Sequence, residues 1–194
     1  MPPAKTTLKP IKVIPNKQQL CSLRFSRCGK VLAGGTFEGS ISRWDASKET
    51  FAELPAIQGH HGWIPSIAFH PDAKRLLAAD SWGTIACWSY SSDAPQAVWK
   101  VNAHDGWIHQ LALSPDGSRL ATGGRDRTVQ IRSTDDGKAI HILQAGEDVL
   151  AVAFHPDGKH IVSGDLKGRI QVWDVASGKS LRSFDAGAMY LKDR

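Results

Sequence analysis

The 194 residues hold only three cysteines, two methionines and two tyrosines, and no apolar run long enough to span a membrane. Cys21, Cys28 and Cys87 are odd in number and lack the spacing of a disulfide framework, so they read as reduced thiols. The opening MPPAKTTLKPIKVIP puts prolines and lysines where a signal peptide needs an apolar centre. These absences predict a soluble, cytoplasmic chain without a membrane partner. The net charge of +5 comes without any basic run, because Lys and Arg stand beside Asp and Glu throughout. Such scattering is solvated surface, and it argues against a nucleic-acid partner. Helical spacing is missing over any useful length. Chemistry is sparse as well. No Cys or His pair has zinc-site spacing, no Gly-x-Ser-x-Gly surrounds a serine, and no glycine-rich loop leads into a helix. His70 and His155 lie in FHPD stretches and read as turn residues, not as ligands. No catalytic residue, metal or cofactor is expected.

What the chain does have is repetition. Residues 60 to 64 read HHGWI and residues 104 to 108 read HDGWI, and in both cases an apolar run, a Pro-Asp turn and a second apolar run follow. Two further copies begin at Leu20 (LCSLRFSRCGKVLA) and Val149 (VLAVAFHPDGKHIV). Self-similarity at this period marks a repeat architecture. Within the third copy, Ile108, Leu111 and Leu113 fall largely on one parity, which predicts a strand with one buried face. Ser114-Pro115-Asp116-Gly117 predicts a turn: proline presets φ, aspartate bonds its own backbone and glycine accepts positive φ. Leu120–Gly124, Thr128–Ile131 and Ala139–Leu143 predict three more strands, joined by Arg125-Asp126-Arg127 and by Asp135–Lys138. Each repeat therefore holds four short antiparallel strands.

The third strands end in Trp44-Asp45, Trp88-Ser89 and Trp173-Asp174, with Arg132-Ser133 at that place in the third repeat. With Gly59-His60 near a repeat start and a period of roughly 40–45 residues, this pattern resembles the WD40 family. The resemblance covers about residues 16 to 185. It implies an all-β fold of β-propeller blades, each a four-stranded antiparallel sheet. The repeats are expected at 16–57, 58–101, 102–143 and 144–185. Residues 1–15 are expected to supply the closing strand of a later blade, and 186–194 to begin a further repeat. The whole is expected to be part of a propeller of about seven or eight blades. A half that pairs with a second copy and a closed four-bladed ring stay open as alternatives.

The resemblance also implies a hydrogen-bonded tetrad of His, Ser or Thr, Asp and Trp in each blade. Its remnants here are His60 and Trp88 in the second repeat, His104, Thr122 and Asp126 in the third, Ser163 and Trp173 in the fourth, and Trp44 in the first. Aligned on the third strand, the second repeat has Ala78 and Trp82 at the hydroxyl and acid positions. The fourth has Ala145 and Lys167 at the His and acid positions, and the first offers Asn16, Gly34 and Glu38. No copy is complete, and His60 is expected to bond backbone. Family members dock proteins on the rim where the His-bearing loops lie. The matching positions are Trp63 and Trp107, then Pro65 and His109, then Phe37, Ser81, Arg125 and Leu166. Exposed indoles bury much area for little lost entropy, as interfaces require. The same indoles could instead fold down as lids on the core. The function implied is a non-catalytic scaffold for a protein or peptide partner. The alternative is a propeller module of a larger enzyme or multidomain protein whose active part lies beyond residue 194. Self-association is expected if the chain is incomplete.

Overall fold

The computed structural model describes residues 12–91 and 94–186. Their secondary structure is sixteen strands in four antiparallel sheets, each in sequence order. Blade 1 is β1 (Leu20–Phe25), β2 (Val31–Thr36), β3 (Ser40–Asp45) and β4 (Ala52–Gln58). Blade 2 is β5 (Ser66–Phe69), β6 (Arg75–Ala79), β7 (Thr84–Ser89) and β8 (Gln96–Asn102). Blade 3 is β9 (Ile108–Leu113), β10 (Arg119–Gly124), β11 (Thr128–Ser133) and β12 (Ala139–Gln144). Blade 4 is β13 (Val149–Phe154), β14 (His160–Asp165), β15 (Arg169–Asp174) and β16 (Ser180–Asp185). Among the described residues no helix is long and apolar enough to cross a membrane.

The four blades are in register. Trp44 lies opposite Leu32, Trp88 opposite Leu76, Arg132 opposite Leu120 and Trp173 opposite Ile161. Arg132 thus occupies the tryptophan position of its blade. It is buried there, with its guanidinium donating to Gln130 Oε1 and to the Gly137 carbonyl.

Why the blades stack follows from the two-residue period of a strand, which sends neighbouring side chains to opposite faces. In β6 and β7, Leu76, Ala78, Ala86 and Trp88 face blade 1, where Ala33, Ile41 and Ile57 meet them. The alternate residues Leu77, Ala79, Ile85 and Cys87 face Ile108, Leu111 and Leu120 of blade 3. A third core joins Ala121, Val129, Ile131 and Leu143 of blade 3 to Val149, Val152, Ile161 and Trp173 of blade 4. The core is therefore three layers between sheets, and a middle blade is apolar on both faces. Blade-to-blade hydrogen bonds fix the spacing at the loop end: Ile64 N–H donates to the Thr36 carbonyl and Ile108 N–H to the Asp80 carbonyl.

At both ends of the array apolar side chains are exposed. Leu23 and Phe25 project from blade 1, and Ile170 and Phe184 from blade 4, each between about a third and three-fifths exposed. Of the segment expected to close a later blade, residues 1–11 lie outside the described residues and Lys12–Pro15 carry no strand. Of the expected further repeat, residues 187–194 lie outside them too.

Candidate interaction surface

Each first strand starts at one rim and runs to the opposite one, so the loops carrying His60 and His104 share a rim. Beneath that rim lie the polar groups that brace it. In blade 3, His104 Nδ1 donates to Asp126 at 2.9 Å and His104 Nε2 accepts from the Thr122 hydroxyl at 2.8 Å. Burial lowers the His104 pKa against the pull of Asp126, and that contact outweighs burial to lower the Asp126 pKa. Both directions describe a neutral imidazole bonded to an ionised carboxylate.

Blade 2 corrects the sequence reading. His60 does not bond backbone; its Nδ1 donates to the Asp80 carboxylate at 2.8 Å, and both side chains are buried. Asp80 lies two residues before Trp82, the position aligned with Asp126. In blade 3 the position matching Asp80 is Gly124, where an added Cβ would meet His104 Nδ1 at 2.4 Å. A carboxylate can therefore approach the same imidazole from either of two positions. The one aspartate in blade 2 also accepts from the Trp82 and Thr84 N–H groups at 2.9 Å and so holds the turn. Burial raises the Asp80 carboxyl, but His60 and these N–H donors outweigh it and lower its pKa.

Blade 4 uses the same substitution. Asp165, not Lys167, carries the acid, and its Oδ1 accepts from the Lys167 and Arg169 N–H groups. Trp173 Nε1–H donates to Ser163 Oγ at 2.9 Å. Three blades thus each lack one different member: blade 2 the hydroxyl (Ala78), blade 3 the indole (Arg132), blade 4 the imidazole (Ala145). The consequences appear as buried polar atoms without a hydrogen-bond partner, namely His60 Nε2 and Trp88 Nε1 in blade 2 and Asp165 Oδ2 in blade 4. In blade 1, Thr36 takes the Asp80 position and accepts from the Glu38 and Ser40 N–H groups. Asn16 bonds the Gln18 carbonyl, and it is Gln18 that reaches Glu38. Sequence alignment missed Asp80, Asp165 and Thr36, although an acid or hydroxyl two residues before the aligned column was there to find.

Above this brace runs an aromatic ridge. Phe37 and Trp63 meet edge to face with ring centroids 4.8 Å apart. Trp63 and Trp107 lie 5.0 Å apart across the boundary between blades, and Trp107 lies 6.0 Å from His109. Trp63 is 43% exposed and Trp107 38%. Spacings of this size are favourable aromatic contacts, so the four rings hold one another in place. The glycine before each indole has its own reason. A Cβ on Gly62 would lie 2.3 Å from Ser81 Oγ, whereas Gly106 has φ of 100°. Ser81 is buried and does not face outward: its N–H donates to the Trp63 carbonyl and its Oγ accepts from the Trp63 N–H. Arg125 N–H donates likewise to the Trp107 carbonyl, and its side chain is exposed beside the ridge. Pro65 and His109 are half-buried, and Leu166 projects from blade 4. Burial and nearby Arg125 lower the His109 pKa against the pull of Asp148, which leaves that ring neutral at pH 7. Trp82, taken from sequence only as a failed tetrad position, is 68% exposed on the same rim, 6.5 Å from His61.

Stacked four-stranded blades with braced loops at one rim define a β-propeller repeat protein. The profile of the WD domain, G-beta repeat, matches residues 52–89, 95–133 and 137–174, more than half of the chain, and the chain belongs to the WD40 family. Members are generally protein-interaction scaffolds. Each match begins on the outer strand of one blade and ends on the third strand of the next, so the sequence unit straddles two blades. Strands β1 to β3 lie outside the matched residues. A chain in the crystal structure of a mitotic checkpoint complex is similar in fold, with a TM-score of 0.81 and 23% identity over 90% of this chain and 55% of that one. The present chain therefore spans about half the length of that neighbour. A comparison with curated proteins found no match.

Proposed function

We propose that the ridge of Phe37, Trp63, Trp107 and His109, with Arg125 at its flank, docks a protein or peptide partner, and that the domain is a non-catalytic scaffold. Pro65 and Leu166 extend the surface, and Ser81 positions Trp63 from beneath. The observation that carries this reading is the Trp63–Trp107 contact at 5.0 Å, made by two indoles that both keep more than a third of their surface in water. Lids on a core would lie flat and covered. Rigid, half-exposed aromatics beside an arginine are the composition of interface hot spots. Four blades on 55% of the neighbour's length, with an apolar face at each end, support a longer propeller.

The test is a double substitution, Trp63→Ala with Trp107→Ala, read by quantitative partner capture and by thermal melting side by side. Capture is expected to fall by at least tenfold, because hot-spot truncations each cost about 2 kcal/mol or more, while melting stays nearly unchanged. A large drop in melting temperature with unaltered capture would assign the indoles to the core.

A further inference from the structure

At the opposite rim, the first hairpins of blades 2 and 4 carry the same turn with one difference. In blade 2, Asp72 N–H donates to His70 Nδ1 at 3.2 Å, so that nitrogen presents a lone pair to it. Asp72 Oδ2 stands 3.0 Å from the same nitrogen. Two electron-rich atoms that close need a cation between or beside them. Arg75 provides it, with Nε 2.6 Å from Asp72 Oδ2 and a terminal nitrogen 3.2 Å from the His70 ring. The guanidinium is always charged, and it also reaches Asp135. His70 Nε2 meets the Gly117 carbonyl of blade 3, so the whole cluster is closed.

Blade 4 has the same imidazole and carboxylate without the guanidinium. Asp157 N–H points at His155 Nδ1 from 3.3 Å, and Asp157 Oδ2 lies 3.1 Å from that nitrogen. At the arginine position stands His160, whose Nδ1 is 2.8 Å from the same Oδ2. The three side chains each bring one ligand atom within 4.8 Å of the others, and all three are reachable from solvent. The carboxylate is aimed, because Oδ1 is engaged by the Lys159 and His160 N–H groups at 2.7 and 3.2 Å, which leaves Oδ2 to face both rings. An imidazole, unlike a guanidinium, is a cation only while protonated, and unprotonated it is a ligand. Two imidazole nitrogens and one carboxylate oxygen on one short, hydrogen-bonded hairpin are a donor set for borderline divalent metals.

We propose that His155, Asp157 and His160 bind a divalent transition metal of the zinc or nickel class, with water completing the coordination. The metal takes the electrostatic place that Arg75 fills in blade 2. Metal–ligand distances of about 2.0–2.2 Å require Asp157 Oδ2 to part from each imidazole nitrogen by only a few tenths of an ångström, and the two imidazole nitrogens, within 4.8 Å of each other, to converge on one ion.

Isothermal titration of the 194-residue chain with Zn²⁺ alone, at pH 7.5, tests this. One site per chain is expected. His160→Arg, which installs the blade 2 arrangement, is expected to weaken it by at least tenfold, since even outer partners of a bound metal are worth roughly 10–100-fold. Metal-free melting should be unchanged, and His155→Gln gives the same result if the arginine variant misfolds. The absence of binding heat up to millimolar Zn²⁺, or binding of undiminished strength in both variants, would overturn the assignment.

Discussion

Three adjacent blades solve one local problem with different residues missing. In blade 3 the imidazole has both partners, and in blade 2 it keeps its acid but loses the relay. An unsatisfied buried polar atom costs about 1–3 kcal/mol, so blade 2 carries a removable defect at His60 Nε2 and Trp88 Nε1. Ala78→Ser puts a hydroxyl at the site that Thr122 and Ser163 fill in their blades. It is expected to raise the unfolding free energy by about 1 kcal/mol in a denaturant melt, and a decrease would mean that the strand has no room for the oxygen. The titration of His104 gives a second expectation. Its folded pKa lies below the ordinary imidazole value, so its contribution to stability is complete above about pH 6.5 and falls as the unfolded ring takes up a proton. Asp80 and Asp126 are lowered too, and their contributions persist until the pH drops below the usual carboxylate range. Acid destabilisation should therefore come in two steps. Melting temperatures between pH 8 and pH 5 should show the upper step in the wild type and a smaller one in His104→Gln, the remainder coming from His109, whose pKa burial lowers too.

In blade 2 the two central strands each serve two cores. β6 sends Leu76 and Ala78 to one neighbour and Leu77 and Ala79 to the other, and the pattern is a continuous apolar run where a surface strand would alternate. Leu77 is fully buried in the layer against blade 3. Leu77→Ala is expected to cost about 2–5 kcal/mol, measured by chemical denaturation. By contrast, Trp82→Ser on the exposed turn should stay within about 0.5 kcal/mol, although Trp82 is much the larger side chain. Strands and turns were legible in the sequence at this scale because both depend on neighbours in the chain. Parity, Pro-Asp-Gly punctuation and the 44-residue spacing of Trp44 and Trp88 need no distant contact. The acid of the His60 pair was not legible. Asp80 opens the tight turn that holds Trp82, with the Gly83 N–H bonded to its carbonyl, so a carboxylate two residues before the aligned column still reaches the imidazole, which a column-by-column alignment does not show.

For the array as a whole, the end faces decide behaviour. Leu23 and Phe25 on blade 1, and Ile170 and Phe184 on blade 4, are side chains of the kind that elsewhere form the layers between blades. Stacked repeats need their terminal faces covered to stay soluble, and large apolar patches drive association. The 194-residue chain alone is expected to self-associate, and Phe25→Lys with Phe184→Lys should reduce it. Size-exclusion chromatography with light scattering reads the outcome, and a stable monomer at the single-chain mass would refute the expectation.

Local order was settled by the sequence alone: four copies, their strands, the turns between them and the loops before the first strands that carry Trp63 and Trp107. Each follows from contacts within a few residues or from a repeat period, and both survive in a string of letters. Tertiary structure decided which groups meet between blades. The Phe37–Trp63–Trp107 ridge joins side chains from three blades. The same turn is closed by Arg75 in blade 2 and left open at His155, Asp157 and His160 in blade 4. The physical reason is reach. Backbone preference acts over a turn or a strand, whereas an aromatic contact or a carboxylate–imidazole bond depends on where stacked sheets place atoms that lie twenty or more residues apart.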